Sequence, residues 1–243
     1  MLPSQVIAKT RVPDGSEIGL VRRGDEWTIR IGGSVLMSSR CHGSEEALAD
    51  KTLTMVPGAT RVLVGGLGIG FTLRKVLDRI AKNARVTVVE LLPSIVEWNH
   101  TYLGELNGFP LNDMRCEVVV GDVYDFIRRS SSSFDAILLD VDNGPVAFTD
   151  VHNQRLYTER GVRYCYAALR PKGVYAVWSA GECTRFDGLL SHVGFRVFSE
   201  RVAQIRGRRA HHVLHLGQRL ELKTKTVPNA RVRSERTKSR PLE

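Results

Sequence analysis

The sequence has no apolar run near the roughly 20 residues that a bilayer-spanning helix needs, which argues against a helical membrane protein. Its opening residues, MLPSQVIAKTRVPDG, lack the apolar core of a secretory leader, so the expectation is a cytoplasmic chain. Cysteine is scarce and scattered. Cys41, Cys116, Cys165 and Cys183 form no close pair, and no histidine sits at finger spacing from them. That argues against a zinc site or a disulfide framework and for free thiols in a reducing compartment; no metal is expected. Acidic residues are in deficit, giving a formal charge of +9. More than half of that excess lies in residues 219–243, where eight Lys/Arg face three Glu. The tail TKTVPNARVRSERTKSRPLE has no apolar periodicity and reads as disordered and solvated. With the body close to neutral, nucleic acid is not expected as a partner; only the tail could serve that role.

What is present is the composition of a globular domain: 243 residues, 42% hydrophobic and 25% charged. Three short strands, EIGLVRR, EWTIRI and SVLMSS, are broken by the turn formers Gly24-Asp25 and Gly32-Gly33. Ser44 then precedes a helical stretch with two acids in its first turn, suited to the positive helix end. From Thr60 the pattern alternates. The β-branched runs RVLVGG, RVTVVE, CEVVVGD, FDAILLD and GVYAVWS are separated by amphipathic helical segments, the signature of buried parallel strands with crossover helices. GFRVFSERVAQI and RRAHHVLHLGQRL read as a terminal strand pair, with Arg206, Arg208 and Arg209 at its turn. Five βα units followed by a hairpin predict an α/β, doubly wound, seven-stranded Rossmann-like sheet of the AdoMet-dependent transferase type. The expected division is a β lead-in over 1–42, a binding and catalytic domain over 43–218, and the basic tail over 219–243.

The strongest local signal is Val64–Thr72, where Gly65, Gly66, Gly68 and Gly70 leave a strand and enter a helix. Glycines there let the backbone approach a ligand, although any tight strand-to-helix turn can use them. Glu90 ends the next strand, at the spacing of a ribose-binding acid; the alternative is a solvated strand-end acid. Asp122 ends the third parallel strand and could meet an adenine amino group, cap the following helix, or do both. Asp140 follows four apolar residues at the carboxyl edge of the sheet, with Asp142 beside it and Asn143-Gly144-Pro145 after. That placement suits cation binding or proton abstraction, against the alternative of a turn or cap acid. His211, His212 and His215 lie in an alternating strand with no carboxylate or cysteine nearby in sequence, so they read as structural. Trp27 and Trp98 read as core; Trp178 stands apart because it ends the fifth parallel strand at the functional edge.

The succession VLVGGLGIGFTLRKVL, VTVVELLPSIVEWN, CEVVVGDVYDFIRR, FDAILLDVDNGP, LYTERGVRYCYAALRPKGVYAVWSA resembles the polyamine aminopropyltransferases, the spermidine synthase family. The resemblance spans residues 35–217 and is most family-like at LYTE and ALRPKGV. It implies a seven-stranded sheet with the last strand antiparallel, a β lead-in, and often a homodimer. By the same resemblance Glu90 holds the ribose and Asp122 with Val123 the adenine of decarboxylated AdoMet, while Asp140 takes a proton from a small-molecule amine, as in polyamine biosynthesis. Several positions depart from the family. Its glycine-loop aspartate matches Ile69, the second acid of its catalytic loop Asn143, its lead-in glutamine Leu36, and its tyrosine before the retained His42 Cys41. Losing an acid beside a partly buried dication costs kilocalories rather than tenths, whereas intact AdoMet brings its own carboxylate. Three readings therefore stand: an aminopropyltransferase, an AdoMet-dependent methyltransferase on a small molecule, and a non-catalytic nucleoside- or RNA-binding protein. The breadth of the resemblance favours the first.

Overall fold

Tight turns shape the first layer of the computed structural model, which describes residues 3–12, 15–141, 144–146, 151–203 and 211–221. β1 (Gln5–Arg11), β2 (Glu17–Arg23), β3 (Glu26–Ile31) and β4 (Ser34–Ser38) pair in that order as an antiparallel sheet. Gly32 and Gly33 both take positive φ, 53° and 87°, as a two-residue hairpin loop requires. The expectation of three lead-in strands is corrected to four. β1 escapes a pattern reading because a register shift between Val6 and Ala8 breaks its alternation and no residue of it is fully buried. On the inner face Ile18, Leu20 and Ile29 join the same core as the main domain, so the lead-in packs on the body.

The main sheet holds β5 (Arg61–Gly65), β6 (Arg85–Glu90), β7 (Cys116–Val120), β8 (Phe134–Leu139), β9 (Leu169–Ser179), β10 (Phe195–Ala203) and β11 (His211–Arg219), ordered β10-β11-β9-β8-β5-β6-β7. Only β11 runs antiparallel, between β9 and β10. The crossovers are α1 (Gly43–Met55), α2 (Phe71–Arg79), α3 (Pro93–Trp98), α4 (Val123–Arg128), α5 (Val151–Gln154), α6 (Glu159–Ala168) and α7 (Thr184–Val193). Strand alternation splits the core in two. Val62, Val64, Ala136 and Leu138 face Leu48 of α1 and Leu73 and Val76 of α2. Leu63, Ile137 and Leu139 face Ile127, Val162 and Leu190 of α4, α6 and α7. Each such fully buried side chain contributes about 1.5–3 kcal/mol, which fixes the register of every strand.

Strand order reverses at β5, which has β6 on one side and β8 on the other. Ligands of open α/β sheets bind in the crevice at such a switch point. Here Asp140 N–H donates to the Gly65 carbonyl at 2.8 Å, so the glycine loop and the acid after β8 emerge side by side.

Several boundaries differ from expectation. Ser44 does not cap α1; His42 precedes the helix without a side-chain cap, and Ser44 is buried inside its first turn. The segment after Trp98 continues as a π-helical turn, Asn99–Leu103. α6 ends at Ala168, and Pro171-Lys172-Gly173 falls within β9 at a register shift. In LYTE, Thr158 caps α6 by accepting the Gly161 N–H at 3.2 Å. Arg219, placed by sequence at the tail boundary, ends β11 and donates to the carbonyls of Tyr166, Ala167 and Leu169, satisfying the open end of α6. Arg206, Arg208, Arg209 and residues 222–243 lie outside the described residues. Among those described, no helix is long and apolar enough to cross a membrane.

Candidate active site

The glycine loop is shaped by what lies against it. Gly66, Gly68 and Gly70 all adopt positive φ, and a Cβ on Gly66 would stand 2.3 Å from the Asp140 carbonyl oxygen. Gly65 is hemmed in by Leu139 and Val123, at 2.7 and 2.9 Å from a built Cβ, so it is needed for close packing of strand and helix. Two asparagines of the segment after α3 pin the loop from behind. Asn99 Nδ2 donates to Gly68 O at 2.8 Å and Asn107 Nδ2 to Ile69 O at 2.5 Å. Ile69 itself is fully buried in the core.

Glu90 is not a solvated strand-end acid. It is 8% exposed, and its two oxygens accept the backbone N–H groups of Leu67 and Leu92, each at 2.9 Å. Burial raises its carboxyl above the usual range, opposed by those backbone donors and by those of Gly68 and Leu91. Asp122 does cap α4, accepting Tyr124 N–H at 2.8 Å, and its other oxygen accepts Arg155 Nη2 at 2.5 Å. The Arg155 guanidinium lies over the Tyr124 ring at 4.5 Å, so the bridge is stacked as well as paired. Val123, first in α4, is buried beside Gly65.

Asp140 accepts the Thr72 hydroxyl at 2.6 Å. Burial pushes its carboxyl up to about 6. Glu45, in the first turn of α1, is 6% exposed and is pushed up to about 7 by burial, with the negative charge of Asp140 adding to the shift. Its Oε2 accepts the Ser44 hydroxyl at 2.6 Å, and His212 Nδ1 lies 2.9 Å from that hydroxyl. Trp178 packs its ring against His212 with centroids 4.4 Å apart. His42 stacks on Phe71, the first residue after the glycine loop, with centroids 3.9 Å apart.

One cavity of about 360 Å³ joins these groups. Gly66, Gly68, Glu90, Asp122, Val123 and Asp140 all line it, so six of the nine residues singled out by sequence meet in one place. Gly65 and Gly70 shape its wall without lining it, and Asp142, with Asn143, lies outside the described residues. Leu36 and Met37 of β4 close it from the lead-in sheet. The volume is that of a small-molecule site, and its mix of apolar wall and convergent polar groups fits a nucleoside-bearing ligand. Among the described residues no group of three or more His, Cys, Asp or Glu is placed to hold a metal.

Sequence reasoning missed Glu45 and Arg155. Glu45 read as a first-turn helix acid, and only the packing of α1 on α2 and β9 buries it. Arg155 comes from 33 residues beyond the acid it binds. The histidines are structural in part as expected, but His215 does have a carboxylate: its Nδ1 sits 2.6 Å from Asp187 of α7.

The spermine/spermidine synthase domain model matches residues 41–188, which include Glu45, Glu90, Asp122 and Asp140 of the cavity. Polyamine aminopropyltransferase 2 of Pseudomonas aeruginosa is 35% identical over 120 residues, 48% of this chain and 32% of that protein. Polyamine aminopropyltransferase 1 of Hyperthermus butylicus is 30% identical over 159 residues, 64% of this chain and 53% of that one. The chain thus spans only 32–53% of the length of these curated relatives. A spermidine synthase solved with the transition-state analogue AdoDATO shares the fold, with TM-score 0.71, 21% identity, and coverage of 88% of this chain and 73% of that one. The Thermotoga maritima spermidine synthase matches equally, with TM-score 0.71, 20% identity, and coverage of 88% and 72%. With the family model covering more than half of the sequence and the site within it, the chain belongs to the spermine/spermidine synthase family.

Proposed function

We propose that the chain is a spermidine synthase-like transferase that moves an aminopropyl group from decarboxylated AdoMet to a small amine. The observation that carries this reading is the half-buried Asp140 carboxylate opening into the same cavity as Glu90 and the glycine loop. Glu90, its oxygens already fixed by two backbone donors, has lone pairs left to accept the ribose hydroxyls. Asp122 and Val123 take the adenine edge in this reading, which their place in the cavity lining and the Arg155 bond to the aspartate support. Asp140 holds the amine acceptor and takes its proton as the nitrogen bonds to the carbon next to the sulfonium. The carbon–sulfur bond breaks with its electron pair going to sulfur, and methylthioadenosine leaves. Since a sulfonium leaves readily, the chain's contribution is in-line positioning and a base near its working pH.

Family relatives favour this donor over intact AdoMet, all those described above being aminopropyltransferases or spermidine synthases. Asp142 is the second candidate for the acceptor side, and the division into lead-in 1–42, catalytic domain 43–218 and basic tail belongs to the same reading. So do a homodimer, a cytoplasmic setting and a role in polyamine biosynthesis, each supported by the family resemblance. The test is direct. Purified protein supplied with decarboxylated AdoMet and a series of linear diamines should release methylthioadenosine in step with aminopropylated amine. Methylated product and S-adenosylhomocysteine from intact AdoMet, with no aminopropyl transfer, would establish the methyltransferase reading instead.

A further inference from the structure

Two carboxylates, Glu45 buried and Asp140 half-buried, face one cavity with no counter-cation among the described residues. Asp140 follows β8 and Glu45 sits in the first turn of α1; both line the cavity, and the charge of Asp140 raises the affinity of Glu45 for a proton. Among the described residues neither is paired with a Lys or Arg; each is reached by one side-chain hydroxyl, Thr72 for Asp140 and Ser44 for Glu45. Two such groups cannot both stay ionised cheaply, so a proton or a ligand's positive charge must neutralise the pair. Ile69, at the position where family resemblance implies a loop acid, is fully buried in the core and does not line the cavity. The loop therefore gives the cavity no carboxylate, while α1 gives it one.

Resting on the transferase reading, we propose that Glu45 and Asp140 together form the seat of a ligand alkylammonium, Glu45 supplying from α1 the charge that the glycine loop lacks. Glu45 is aimed rather than free. With the Ser44 hydroxyl donating to Oε2, His212 must be the donor to Ser44, so its proton sits on Nδ1; burial lowers the His212 pKa and keeps the ring neutral. The charged groups around Glu45 are Asp140 from the end of β8 and Glu46 on its own helix, with the neutral His212 of β11 reaching it through Ser44; Glu90 and Asp122 line the same cavity. All the carboxylates repel a second negative charge, and an arriving ammonium displaces the proton that the pair retains. Affinity for an ammonium ligand therefore rises with pH from 6 to 8, whereas that for an uncharged nucleoside does not.

Two alkylammonium groups could take this seat, the aminopropyl end of the donor or one end of the amine acceptor. Calorimetry on the full chain separates them with three probes: methylthioadenosine, decarboxylated AdoMet, and a linear diamine added to the methylthioadenosine complex. In Glu45→Gln, which still offers Ser44 an acceptor, methylthioadenosine should bind as in the wild type. The ligand whose ammonium occupies the seat should weaken about 10–100-fold, the loss of one charge-assisted hydrogen bond. Glu46→Gln should change none of the three. An ammonium ligand that binds Glu45→Gln and wild type equally well overturns the seat while leaving the transferase reading intact. A wild-type chain that binds methylthioadenosine but neither ammonium ligand overturns that reading and the seat with it. Should the variant fold poorly, the wild type suffices. Titrations at pH 7 in two buffers of different ionisation enthalpy should show a proton released with the ammonium ligand and none with methylthioadenosine. No release overturns the seat.

Discussion

At the proposed nucleoside cradle, Glu90 accepts two backbone N–H groups and Asp122 accepts one more together with the Arg155 guanidinium. Elsewhere in the same cavity Asp140 and Glu45 each receive one side-chain hydroxyl. The contrast separates two tasks. A carboxylate held by backbone donors cannot turn and is stabilised as the anion, which suits a fixed acceptor of ribose or base hydrogen bonds. One held by a rotatable hydroxyl in a buried setting stays close to its proton, which suits an acid that must take and release one. Burial raises Glu90 as well, but four backbone groups oppose it there, whereas among the described residues Thr72 alone opposes it at Asp140.

The sharpest break of that contrast is Asp140→Asn. It keeps the shape of the labile side and removes its charge, so turnover should fall about 10²–10⁴-fold while methylthioadenosine affinity is unchanged. Steady-state release of methylthioadenosine measures it; a wild-type rate would make Asp140 a structural acid. Gly66→Ala should damage both halves at once, because the residue has φ of 86° and its Cβ would press on the Asp140 carbonyl. A loss of about 2–4 kcal/mol in urea unfolding is expected, together with loss of nucleoside binding. Gly33→Ala, equally left-handed but with open space around it, should cost only about 1 kcal/mol.

On the fixed side, Glu90→Gln leaves one of its two backbone donors facing an amide N–H₂. Methylthioadenosine binding should weaken by about 1.5–3 kcal/mol, read by calorimetry; unchanged affinity in a folded variant would remove Glu90 from the site. A smaller effect is on the pH dependence of stability. Burial holds the Glu45 carboxyl at about 7 against an ordinary 4.5, so between those values the folded chain keeps a proton that the unfolded chain has released. Its contribution to stability is therefore full below pH 4.5 and lost as pH rises through 7. Glu45→Gln should gain about 1–2 kcal/mol on the wild type between pH 5 and pH 8, measured by chemical unfolding at both.

The two sides also differed in how far the sequence disclosed them. Glu90, Asp122 and Asp140 each follow a run of β-branched and apolar residues, and in a parallel sheet the ends of such runs converge on one edge. Strand pattern and strand-end residue are both local signals, so the fold and the convergence of these three acids could be read directly. Glu45 carries no such signal. Two acids at the start of a helix ordinarily face solvent, and only the docking of α1 on α2 and β9 turns one of them inward. Arg155 and the Asp187–His215 pair depend likewise on contacts between distant segments. Ile69 shows the converse: its departure from the family pattern was plain in the sequence, and the structure adds that its side chain is part of the core.

The claim that the labile pair receives a positively charged group rather than a zwitterion is tested most directly by comparing two donors on the unmodified chain. Decarboxylated AdoMet and AdoMet differ by one carboxylate, which only AdoMet would bring towards Glu45 and Asp140. Like charges brought together in a partly buried site cost kilocalories, so calorimetry should find decarboxylated AdoMet the tighter ligand by about tenfold or more. AdoMet binding as tightly or more tightly would contradict decarboxylated AdoMet as the donor and return the site to the methyltransferases.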